Sequence, residues 1–195
     1  MAALLIATGC QRGASAEFAV VPVRPAPRLE APRASGEVFR LGDQRGRVVL
    51  VSFGYTACPD VCPTTLSQLN SLYKRLGNDA QGVEMVFVSV DPERDSTPRL
   101  EEYVRAFNPR FTGLRVEGEA LSAVLSAWQV TASRRYPDAA RYREHRFSGS
   151  TSYTVDHTGA FFVIDKRGAL RLRLPYTIPV EQMQAEVARL LAEEG

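Results

Sequence analysis

Arg47–Phe53 (RVVLVSF) is a nearly continuous β-branched run, and it leads directly into GYTACPDVCP. A run without polar alternation suits a strand buried on both faces, and such a strand needs further layers on either side of its sheet. Thr64–Leu76 then sets Leu66, Leu69, Leu72, Tyr73 and Leu76 at helical spacing. A buried strand, a loop carrying two cysteines and an amphipathic helix therefore follow one another without a break. No other feature of the chain restricts its fold as much.

The rest of the chain continues the alternation. Val83–Val90 (VEMVFVSV) reads as a second buried strand, and Pro98 opens a helix through Phe107 with Leu100, Val104 and Phe107 as its apolar stripe. Ala120–Trp128 reads as a further helix. Ala160–Asp165, a Lys166-Arg167-Gly168 turn and Ala169–Leu174 form a predicted hairpin. Val180–Ala192 closes the chain as a helix starting behind Pro179. The order β-α-β-α-(α)-β-β-α predicts an α/β fold with a mixed central sheet flanked by helices. Its beginning and end are those of a thioredoxin-like fold. Thr131–Thr154, rich in Arg, Tyr and Ser without periodicity, reads as an irregular insertion before the histidine segment.

The two ends read differently. Met1–Gly9 (MAALLIATG) is apolar or small and runs into Cys10, as in the tail of a bacterial lipoprotein signal cleaved so that Cys10 becomes a lipidated N-terminus. Pro22, Pro25, Pro27 and Pro32 give residues 11–36 the composition of a semi-rigid spacer. The expected division is a signal segment over 1–10, a linker over 11–36 and one folded domain over 37–195. That division places the domain on the extracytoplasmic, periplasmic face of a membrane. A formal net charge of +2 with acids and bases interspersed argues against a dedicated nucleic-acid binder. No apolar run is long enough to span a membrane as a helix.

The chain has three cysteines and two histidines. Cys58 and Cys62 sit at the head of the first long helix, where four-residue spacing puts both sulfurs on one helical face and the amide ends favour thiolates. Pro59 and Pro63 suit a helix start, and Asp60 is a candidate cap for its first turn. Three uses compete for the pair. A structural disulfide closes so small a loop that it adds little stability. A redox dithiol normally shows C-x-x-C rather than C-x-x-x-C spacing. Metal binding needs a further ligand.

His157 is the candidate for that ligand. In a thioredoxin-like sheet the loop before the hairpin faces the helix-start cysteines, at the place where ordinary thioredoxins hold a cis-proline. No proline occurs between Pro137 and Pro175, and Asp156-His157 stands there instead. His145 lies among arginines and reads as an ordinary surface residue. Two thiolates and an imidazole form a soft three-ligand set that favours copper, as Cu(I) or Cu(II). Structural zinc normally takes four protein ligands, and iron–sulfur binding fails on cysteine count. Asp156 or a backbone carbonyl is the candidate for orienting the imidazole from behind.

At these residues the sequence resembles the Sco/SenC family of copper chaperones for cytochrome c oxidase assembly. Gly54-Tyr55-Thr56 leading into Cys58-Pro59-Asp60-Val61-Cys62-Pro63 is similar to that family's metal loop. Val88–Asp95 (VSVDPERD) is similar to its second-strand signature, and Tyr153 with Val155-Asp156-His157 and Phe162–Asp165 to its histidine segment. The resemblance covers about Gly36 to Leu191. It implies a membrane-tethered copper-binding domain whose ligands are Cys58, Cys62 and His157. The implied partner is the oxidase subunit that carries the copper A site, and a further periplasmic copper chaperone is a second candidate partner. Taken from the residues alone, Asp91-Pro92 reads as a turn, Asp95 or Ser96 as a helix cap, and the segment as either a structural turn or a docking surface.

Two functions stand against each other on this reading. One is a copper-binding assembly protein and not an enzyme in the ordinary sense. The other is a thiol-disulfide oxidoreductase in which Cys58 and Cys62 are the catalytic pair that keeps exported partner cysteines reduced. A thiol peroxidase is disfavoured, because Tyr55 stands where such enzymes carry threonine. The need for His157 separates the first two.

Overall fold

The computed structural model describes residues 18–136 and 153–195. Cys10, His145 and most of the expected insertion therefore lie outside the described residues. The central sheet has six strands in the order β1 (Ala19–Pro25), β10 (Ala169–Pro175), β9 (Ala160–Ile164), β4 (Val48–Gly54), β5 (Val83–Ser89) and β6 (Thr112–Leu114). At its middle β4 (Val48–Gly54) pairs in parallel with β5 (Val83–Ser89), Val51 opposite Val86. All residues of both strands are buried, as the unbroken apolar runs predict. The predicted hairpin forms as β9 (Ala160–Ile164) and β10 (Ala169–Pro175), with β9 antiparallel to β4. β6 (Thr112–Leu114) adds a short parallel strand beyond β5; three residues carry too little pattern to be read from sequence.

Helices complete the α/β layers. α1 (Val61–Leu76) buries Leu66, Leu69 and Leu72 completely, each worth about 1.5–3 kcal/mol relative to exposure. It ends at Gly77, whose φ of 56° is cheap only for glycine. α1 packs against α4 (Val180–Ala192), and α2 (Thr97–Phe107) lies on β6. Ser96 caps α2 by accepting the Arg99 N–H, with Pro98 in the first turn. α3 (Gly118–Ala127) buries none of its residues fully, but it delivers Trp128 into a core cluster with Phe53 and Phe162.

Two expectations need correction. The proline-rich stretch is not all spacer: Ala19–Pro25 is β1, an edge strand antiparallel to β10, and Glu30–Pro32 (β2) pairs with Val38–Arg40 (β3). Prolines are tolerated there because an edge strand leaves one row of amides unpaired. Leu29, Ala31 and Phe39 are buried as a consequence. The expected irregular excursion likewise has ordered ends. Ala132–Arg135 (β7) and Thr154–His157 (β8) form a two-stranded antiparallel ribbon, with Ala132 opposite His157. Its exposed arginines hide the alternation that would have marked it as strand.

Candidate metal centre

β4 ends at Gly54 and the chain turns through Tyr55–Asp60 before α1 begins. The Cys58 N–H donates to the Tyr55 carbonyl across that turn, so Cys58 precedes the helix and Cys62 lies in its first turn. A turn, and not a shared helical face, brings the sulfurs together. Asp60 occupies the cap position without a side-chain capping bond; its carbonyl accepts the Thr64 hydroxyl instead. Cys62 is buried and Cys58 is half-buried, and neither is in a disulfide.

His157 arrives from the end of β8. Its Nε2 stands 3.6 Å from the Cys62 Sγ, and its Nδ1 lies 3.2 Å from the Thr158 carbonyl oxygen. Nδ1 must carry a proton to make that bond, which leaves Nε2 free to face the sulfurs. Asp156, expected to orient the ring, does not. Alternation along β8 turns its side chain away from that of His157, and it pairs at the surface with Arg135. The Thr158 carbonyl takes that part.

Cys58 Sγ, Cys62 Sγ and a His157 ring nitrogen all lie within 4.8 Å of one another. Ligand bonds of about 2.0–2.3 Å in a trigonal arrangement would put such atoms roughly 3.5–4 Å apart, so small side-chain shifts suffice to enclose a metal ion. The donors also suit a soft ion. The hydrogen bond from the Cys62 thiol holds the Cys58 thiol down to about 3, aided by the Asp60 and Cys62 amides. The same shared proton, together with burial, pushes Cys62 well up. Without metal, the pair shares one proton unequally, the thiolate being favoured at Cys58 and the thiol at Cys62. Loading an ion between them releases the second proton.

Gly54 makes room for this arrangement. A Cβ there would meet the Phe87 ring at 2.5 Å and the Cys62 Sγ at 2.8 Å. An open groove of about 560 Å³ runs along Cys58, Pro59, Asp60, His157 and Tyr176, giving access from the Cys58 side.

The segment after β5 forms the expected turn, with the Arg94 and Asp95 N–H groups donating to the Asp91 carbonyl, and its side chains add long-range bonds that have no local signature. Asp91 and Asp95 are 1% and 0% exposed, so they cannot dock a partner. Asp95 does not cap α2. It accepts the Thr56 N–H at 3.1 Å, the Thr56 hydroxyl at 2.6 Å and the Ser89 hydroxyl at 2.7 Å, gripping the cysteine loop from beneath. Asp91 accepts the Tyr153 hydroxyl at 2.6 Å and pairs with Arg94. The turn and cap signals were real features of the segment, but its long-range partners had no local signature.

A family model described as SCO1/SenC matches residues 28–192. The chain belongs to the SCO1/SenC family. The SCO2-like protein RP587 of Rickettsia prowazekii, a relative within this family, is 31% identical over 134 residues, 69% of this chain and 61% of that protein. The matched stretch thus spans less than two thirds of that curated relative. Among solved structures, apo Sco1 of Thermus thermophilus is 32% identical with a TM-score of 0.75, covering 89% of this chain and 95% of that one. ScoI of Bradyrhizobium japonicum, solved with copper bound, is 27% identical with a TM-score of 0.73, covering 86% and 100%. The fold is thioredoxin-like, as its strand and helix order predicts. Among the described residues, no helix is long and apolar enough to cross a membrane.

Proposed function

We propose that this SCO1/SenC domain binds copper through Cys58, Cys62 and His157 and acts in assembly of the copper A centre of cytochrome c oxidase. The observation that carries the reading is the convergence of two sulfurs and one imidazole nitrogen, drawn from two distant segments, within 4.8 Å. Two soft sulfur donors favour Cu(I), and the imidazole extends the set to Cu(II). Copper is cargo here and not a resident cofactor. Cys62 lies on the inner side, whereas Cys58 and His157 line the groove. A recipient's ligands therefore approach at Cys58 and His157, and the copper passes by stepwise ligand exchange. The proposed recipient is the oxidase subunit that carries the copper A site, and a further periplasmic copper chaperone is the proposed donor. The apolar run into Cys10 supports an extracytoplasmic domain held by a lipid at that residue.

A second reading is favoured by one specific observation, the unequal setting of the pair: Cys58 is half-buried and its sulfur accepts the Cys62 N–H at 3.4 Å, whereas Cys62 is buried. That asymmetry suits a thiol-disulfide oxidoreductase acting on a partner's cysteines. His157 separates the two. Anaerobic copper titration of the reduced domain should give one equivalent per chain, and His157→Ala cells should be deficient in copper A assembly at limiting copper. Full oxidase activity in those cells would establish the oxidoreductase reading instead.

A further inference from the structure

β8 carries His157 but belongs to a separate two-stranded ribbon, not to the six-stranded sheet that positions the cysteines. Among the described residues, no strand ladder therefore sets the distance between the imidazole and the sulfurs. The described contacts that tie β8 and its leading residue to the site are made by side chains. The Tyr153 hydroxyl donates to Asp91 Oδ1 at 2.6 Å, and Arg94 Nη1 donates to the Tyr153 carbonyl at 2.9 Å. The Arg94 guanidinium lies 3.7 Å from the centre of the Tyr153 ring while its Nε pairs with Asp91. Two residues further on, the Val155 N–H donates to the Tyr55 hydroxyl at 3.1 Å, and the Tyr55 ring meets His157 edge-on at 6.0 Å.

We infer that Asp91, Arg94 and Tyr153 are positioning residues for His157, acting through β8 to hold its Nε2 within ligand distance of Cys62. The inference rests on the copper reading above. Asp95 is the counterpart for the other half of the site, since its bonds to Thr56 hold the cysteine loop. One seven-residue segment, Ser89–Asp95, thus clamps both ligand-bearing pieces of chain through its buried residues Ser89, Asp91 and Asp95 and the half-buried Arg94. Outer groups that orient metal ligands commonly change affinity 10- to 100-fold when removed. Tyr153 acts through intervening backbone, so the low end of that range applies.

Tyr153→Phe removes one hydroxyl and keeps the ring on Arg94. The expected result is a roughly tenfold loss of Cu(II) affinity and a shifted thiolate-to-Cu(II) absorption band. Cu(I) affinity and two-thiol oxidation should stay at wild-type values. In the metal-free domain, the His157 ring ¹⁵N signals should change from a single Nδ1–H tautomer to a broadened or mixed set. Asp91→Asn, which retains an acceptor for the hydroxyl, should fall between Tyr153→Phe and wild type. Adding Tyr153→Phe to His157→Ala should change nothing further, because the two act on one ligand. Wild-type Cu(II) affinity and ring signals in Tyr153→Phe, beside a clear His157→Ala defect, would overturn the inference. So would equal losses of Cu(I) and Cu(II) accompanied by a lowered melting temperature, which mark general loosening. An unaltered Cu(II) spectrum in His157→Ala would instead remove the copper reading itself.

Discussion

The Cys62 Sγ and the His157 Nε2 stand 3.6 Å apart across 95 residues of chain. One sits in the first turn of α1 and the other at the end of β8, so only the folded chain brings the donors together. Cys58→Ser and Cys62→Ser should each abolish tight copper binding, because one thiolate and one imidazole leave the ion under-coordinated. His157→Ala should weaken Cu(II) more than Cu(I). Competitive titration against chelators of known affinity checks all three, and an unchanged affinity in either cysteine variant would sink the site.

The unequal thiols predict a pH profile. Cys58 is an acid whose pKa is lowered to about 3, so its anion is present above that value and is lost only as pH falls through it. Iodoacetamide should therefore label Cys58 in the reduced, metal-free domain at a rate that is nearly flat between about pH 5 and 8. Cys62, pushed the other way by the shared proton and by burial, should lag far behind. Peptide mass mapping reads both rates. A Cys58 rate that climbs steeply toward pH 8.5 would contradict the shared-proton arrangement.

Mild oxidation should join Cys58 and Cys62, since their sulfurs already lie within 4.8 Å. The domain should lose two thiols and its capacity for copper together, and both should return on reduction. Stability should change little, because the closed loop is so short. Thiol counting alongside copper titration checks this, and copper binding that survives full oxidation would argue against sulfur ligation.

Gly54→Ala tests the fit behind the cysteine loop. Its Cβ would press on the Phe87 ring and on the Cys62 Sγ. Overpacking of this kind costs about 1–3 kcal/mol, and part of the relief must come from moving the sulfur. Thermal melting should report the cost, and copper affinity should fall as well. A variant with a lowered melting point and wild-type affinity would show that Phe87 alone gives way.

Asp95→Ala removes the acceptor of three bonds and strands the Thr56 amide and hydroxyl beneath the cysteine loop. Each donor left unsatisfied costs about 1–3 kcal/mol. Denaturant unfolding measures the loss, and Cys58 alkylation should lose its flat pH profile as the loop loosens. Wild-type stability would remove Asp95 from the role assigned to it.

Legibility in the sequence followed burial symmetry. β4 and β5 are buried on both faces and so appear as unbroken apolar runs, and α1 shows its stripe at Leu66, Leu69 and Leu72. The cluster of candidate donors was legible because Cys58, Cys62 and His157 are scarce residue types in a chain with few alternatives. β1 was not, because Pro22 and Pro25 read as spacer wherever no partner strand is in view. The long-range bonds of two aspartates stayed hidden for a related reason. Asp91 and Asp95 satisfied a turn and a cap on paper, while their partners Tyr153 and Thr56 lie 62 and 39 residues away. Asp156 failed because adjacency in sequence is opposition across a strand.

The sheet's outer strands carry a consequence of their own. β1 closes one side with Pro22 and Pro25, which offer no N–H to an incoming strand, and β6 closes the other with three residues. Where copies of a chain meet at high local concentration, bare sheet margins invite fibre-like stacking. Replacing both prolines with valine should promote self-association, which sedimentation would detect. The prolines act as end-stops to the sheet, so its margin at β1 is closed by covalent geometry and needs no covering partner.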